Sequence, residues 1–153
     1  MVANSIVDPV LGELTWDPEL HEWRGISKTA NGVPFSLVVR TPSDLTQRPP
    51  FDDKTWDRTI TPEARDALAR VLASEDLVRT SITQEFFPQY SRWPDREAID
   101  SATFARRIRI EAVSLLYNGA AEVYYDDSGF FGGHALIAHL DPHGVVTRTE
   151  LFG

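Results

Sequence analysis

YYDDSGFFGGHALIAHLDPHG, residues 124–144, gathers three aspartates, three of the chain's four histidines, four glycines and two phenylalanines. Such a set reads either as a catalytic or metal centre or as strand, loop, strand and turn. Spacing favours the second. If 134–140 is one strand, His134 and His139 are five positions apart, which places them on opposite faces and roughly 16 Å from each other at about 3.3 Å per residue. They cannot share an ion. His139 and Asp141 share a face, with His143 just beyond, but Asp141-Pro142-His143-Gly144 already matches a type I turn with glycine last. No metal site is therefore expected.

Working outward, residues 107–117 are rich in Ile, Val and Leu, Asn118-Gly119 turns the chain, and 120–126 returns. Residues 145–152 follow the DPHG turn. This makes four C-terminal strands. At the other end, GELTWD alternates Leu14 and Trp16 with polar neighbours, the two-residue period of a half-buried strand. EWRGISKT runs to Asn31-Gly32, whose residues tolerate the positive φ of a tight type I′ hairpin. VPFSLVVR closes a three-stranded meander. Between the two sets, Thr61-Pro62-Glu63 starts a helix with a hydroxyl cap followed by proline. Ser74 reads as the cap of a second helix, and Pro88 kinks or ends it. A short helix near Ile99 is also open. The proline- and aspartate-rich connector 41–59 reads as an ordered excursion, because Phe51 and Trp56 need cover. The expected fold is a single α+β domain, residues 1–153. Three N-terminal strands, two central helices and four C-terminal strands form an antiparallel sheet with the helices on one face. Trp16, Trp23, Trp56 and Trp93 are expected in or near the core, and Arg106, Arg107 and Arg109 along a solvated strand.

Composition narrows the function. Fifteen Lys and Arg against 23 Asp and Glu give a formal charge of −8, which argues against nucleic acid and against an anionic membrane. It points instead to a basic protein partner, which such a field would steer. No apolar run approaches the roughly 18 residues of a membrane helix. The first residues lack a basic segment followed by an apolar one, so the expected setting is cytoplasmic. With no cysteine there is no thiolate ligand, disulfide or Cys nucleophile.

The candidate binding residues are Asp126, Asp127, Phe130, Phe131 and His134. The two acids could hold a cation or work as acid and base. Consecutive strand residues, however, point to opposite faces, and Asp-Asp-Ser-Gly is also ordinary turn chemistry. Ser128 lies in no G-x-S-x-G elbow, and Gly132-Gly133 is too short to cradle a phosphate. No cofactor is expected. Two phenylalanines before two glycines make a tight loop that needs a surface to cover.

LGELTWD with EWRG at the start, and YYDD…FFGGHALIAHLDPHG near the end, resemble a group of small bacterial domains of unknown function. Those domains share a G-x-L-x-W/F-D…W-x-G opening and a late acidic–aromatic–Gly-His signature. Some are similar to immunity proteins encoded beside polymorphic toxins. The resemblance covers both ends of the chain and puts Asp126, Asp127, Phe131, Gly133 and His134 at signature positions. It implies no catalytic residues. The expectation is a non-enzymatic binding protein that neutralises a partner toxin. The alternative is a small enzyme, such as a metal-dependent hydrolase, using Asp126, Asp127, His134 and His139.

Overall fold

The computed structural model describes residues 4–153. The chain runs β1 (Ser5–Asp8), β2 (Gly12–Asp17), β3 (Glu22–Lys28), β4 (Pro34–Val39), α1 (Ser43–Thr46), a 3-10 turn (Asp53–Thr55), α2 (Pro62–Ser91), α3 (Ser101–Arg107), β5 (Arg109–Leu115), β6 (Ala121–Asp126), β7 (Ala135–Leu140) and β8 (Val146–Phe152). All eight strands form one sheet in chain order, β1 to β8.

The α+β class stands, with four corrections. First, the sheet has four N-terminal strands rather than three. β1 pairs antiparallel with β2 (Ile6 opposite Leu14) and is too short, at four residues, to show a periodic pattern. Second, β4 and β5 run parallel, Leu37 opposite Val113. A hairpin cannot join parallel neighbours, and the long connection through α2 and α3 supplies the crossover. Third, the two expected central helices are a single 30-residue helix, α2. Ser74 caps nothing; its hydroxyl donates to the Arg70 carbonyl one turn back. Pro88 sits near enough to the end that helical backbone continues to Ser91. Fourth, Arg106 and Arg107 close α3 instead of lining a strand, and β5 starts at Arg109. The Asn31-Gly32 turn is also looser than expected. Only Gly32 has positive φ, and its N–H donates to the Thr29 carbonyl. The DPHG turn forms as expected, with Gly144 N–H donating to the Asp141 carbonyl.

Alternation decides which face of the sheet meets the helix. Leu14, Trp16, Leu37, Val39, Val113, Leu115, Val123, Tyr125, Leu136 and Ala138 are buried and share one cluster with Ala64, Leu68, Val71, Val78, Ile82 and Phe86 of α2. The helix begins at the Thr61 cap, whose hydroxyl oxygen accepts from the Ala64 amide and donates to the Tyr117 carbonyl. The connector is ordered for an identifiable reason: it satisfies the indole N–H groups. Trp16 Nε1 donates to Asp53, Trp23 Nε1 to the Arg58 carbonyl, and Trp56 Nε1 to Thr41 Oγ1. Trp93 departs from expectation. It follows α2 and is 48% exposed.

Candidate functional site

The loop between β6 and β7 is built around one carboxylate. Asp127 is fully buried. Its Oδ1 accepts from the Gly129 amide at 2.8 Å, and its Oδ2 accepts from the amides of Phe131, Gly133 and His134 at 2.9, 3.1 and 3.0 Å. Folding the loop around one side chain requires successive left-handed residues, and Gly132 and Gly133 supply them at φ +81 and +89. The rings go inward. Phe130 stacks on Phe104 at 4.8 Å and meets Tyr90 at the same distance, while Phe131 lies edge-on to Phe86 and Trp93. The FFGG stretch is thus a plug, closing the end of the core beside the C-terminal turns of α2.

The other two candidates stay outside that plug. Asp126 is exposed and accepts from the Ser128 amide. His134 precedes β7, packs against Gly153, and its Nδ1 is buried without a hydrogen-bond partner. The loop therefore brings Asp127 and His134 together through a backbone N–H, not through imidazole and carboxylate. A hydrolytic or metal role for Asp127 would require its oxygens to leave four amides. Among the described residues, no three His, Asp or Glu side chains cluster closely enough to hold a metal ion. His143 stays in its turn, where its amide donates to Asp141. Beside the plug lies an open groove of about 490 Å³, lined by Tyr90, Trp93, Arg96, Glu97, Arg107 and Phe130. Arg107 lies over the Phe130 ring and forms an ion pair with Glu97 at 2.8 Å.

The outer face of the sheet carries a second polar cluster that sequence reading missed. Ser114, Glu122, His139 and Arg148 stand directly opposite one another across β5 to β8, with Tyr124, Ile137 and Glu150 in the next row. The face is covered here: Ile137 is 3% exposed although it lies outside the main core cluster, and Ser114 is 5% exposed with its hydroxyl unpartnered. His139 Nε2 lies 2.6 Å from Glu150, and the Tyr124 hydroxyl donates to Glu122. Burial, and then the Glu122 carboxylate, push the Tyr124 phenol above its ordinary value, so it remains a proton donor. The available signal was that 135–140 reads as an almost continuous apolar run, which puts Ile137 on the outer face.

These features define an α+β domain with a nearly all-antiparallel eight-stranded sheet and a carboxylate-centred plug. Residues 8–151 match the model of a family described as uncharacterized proteins conserved in bacteria, DUF2262, and the chain belongs to that family. No curated protein and no solved structure matches the chain.

Proposed function

We propose that the chain is a non-enzymatic, immunity-type protein that binds and neutralises a basic toxin partner. The observation that supports this is the solvent face of α2. Its exposed positions carry Glu63, Asp66, Asp76 and Glu85, with Leu77 72% exposed among them, and not one basic residue. The helix's arginines are turned away. Arg65 pairs with Asp8 and Arg79 with Glu75, while Arg70 packs against the turns at Gly119 and Gly144. The acids span about 33 Å at 1.5 Å per residue, a length suited to a protein surface. A ridge of one sign around an apolar residue steers a cationic protein and then gives it something to bury.

The test is titration of the purified chain with the toxin encoded beside its gene, at low and high salt. The expected result is a complex that added salt weakens, and that D76K/E85K weakens by roughly tenfold or more, mainly through slower association. A complex indifferent to both salt and the charge reversal, or no complex at all, would retire the reading.

A further inference from the structure

The last strand of the sheet offers a surface independent of α2. β8 is terminal in the strand order and pairs only with β7 among the described residues. An edge of unpaired N–H and C=O groups is a template for another strand, and proteins usually guard it with lysine, proline or brevity. β8 is seven residues long, VTRTELF, without lysine or proline, and its guards are one bulge at Thr147 and the charges of Arg148 and Glu150. It also leaves Leu151 41% and Phe152 66% exposed, with Val145 58% exposed just before it.

We infer that β8 pairs with the β8 of a second copy of this chain, antiparallel about a two-fold axis through Thr149. The charges select both the partner and the register. With Thr149 opposite its own copy, Arg148 faces Glu150 of the second copy and Glu150 faces its Arg148, so two opposite-charge cross-strand pairs form at once. Centring one residue later sets Glu150 against Glu150, and one residue earlier sets Arg148 against Arg148. Arg148 can make the switch, because its side chain is 66% exposed and both of its contacts within the chain are long, 3.8 Å to Glu150 and 3.3 Å to His139 Nε2. Glu150 keeps His139 at 2.6 Å and still has lone pairs for a second donor. A bulge at Thr147, where the register to β7 shifts, restricts regular pairing to the residues around Thr149. Apolar ends supply the rest, as Phe152 reaches the end of the partner strand that carries Val145 and Val146. The other edge, β1, has only four residues, and its Asp8 is committed to Arg65. A β1-to-β8 contact would also be head-to-tail, building rings or filaments, whereas the two-fold pairing closes at two copies.

The experiment uses the full chain and reads its mass in solution by sedimentation across a concentration range. The expected result is a dimer at twice the chain mass. R148E alone, or E150R alone, turns two attractions into two repulsions and weakens association about tenfold. The exchange R148E/E150R restores complementarity and recovers the dimer. Because the chain has no cysteine, T149C provides a second readout: it forms a symmetric, reductant-sensitive cross-link whatever the reversals do to folding. A species at the chain's own mass throughout, with T149C uncross-linked, overturns the inference. So does a dimer that both single reversals leave intact.

Discussion

A carboxylate that accepts four backbone amides has its acceptor positions committed, and that distinguishes Asp127 from the aspartate beside it. Asn at 127 would turn one oxygen into a donor facing amide donors, leaving N–H groups buried and unpaired. We expect Asp127→Asn to cost about 2–4 kcal/mol of unfolding free energy, at about 1–3 kcal/mol per orphaned group. Asp126→Asn, at an exposed position with a single 3.2 Å contact, should cost less than about 0.5 kcal/mol. Urea denaturation of both variants checks the contrast; equal losses would mean the loop does not depend on Asp127. The sequence offered Asp-Asp-Ser-Gly as turn chemistry, and that much was legible. Asp127 keeps the inward phase of Val123 and Tyr125, but that phase alone does not reveal the four amides that meet it there. Nor could spacing reveal that Phe130 and Phe131 both turn inward, since their partners Tyr90 and Phe104 come from distant segments.

At the scale of elements, strands with clear alternation and the Thr61 start of α2 were legible, and the continuity of α2 past Ser74 was not. GELTWD and the DPHG turn behave as their residues dictate because strand period and turn chemistry are local. β1 escaped notice because four residues carry no period, and the parallel β4–β5 contact is a consequence of the crossover. Ser74 misled for a physical reason: a serine followed by Glu75 and Asp76 looks like a helix start, yet its hydroxyl can equally bond back to Arg70 within a continuous helix. The two arrangements make opposite predictions. If Ser74 were a cap, Ser74→Ala would cost about 1 kcal/mol. Inside α2, alanine is the better helix former, and we expect no loss and up to about 0.5 kcal/mol of gain. Thr61→Ala provides the internal standard. It removes the true cap and the bond to Tyr117, and should cost about 1–2 kcal/mol in the same urea series.

For the whole molecule, the −8 charge says little about how folding responds to acid; the aspartates that hold turns and caps say more. Asp17, Asp57, Asp100 and Asp141 all lie below the ordinary carboxyl value. The largest causes are the Leu20 amide, the Thr59 hydroxyl, the Thr103 amide and the Val145 amide respectively. Asp8 joins them against resistance. Burial works to raise it, but the Leu11 amide, the Arg65 guanidinium and the Val10 amide together hold it below 3.8. Asp44 alone among them runs the other way, raised chiefly by burial despite Arg40. A depressed carboxyl stabilises the fold above its unfolded value of about 3.8 and loses that contribution as pH falls through the lower native value. Asp44 opposes this, because protonating it on acidification relieves a cost. The lowered groups outnumber it, so stability should be level near neutrality and fall steeply below about pH 4. Asp8 is the one to test, because its 2.7 Å bond to Arg65 ties the edge strand β1 to the first turns of α2. Asp8→Asn keeps the shape but no longer titrates. It should lower stability at pH 7 by about 1–3 kcal/mol and reduce the steepness of the acid limb. Thermal melts of both proteins between pH 7 and pH 2.5 should therefore converge as the pH falls, and parallel curves would show that Asp8 carries no share of the acid transition.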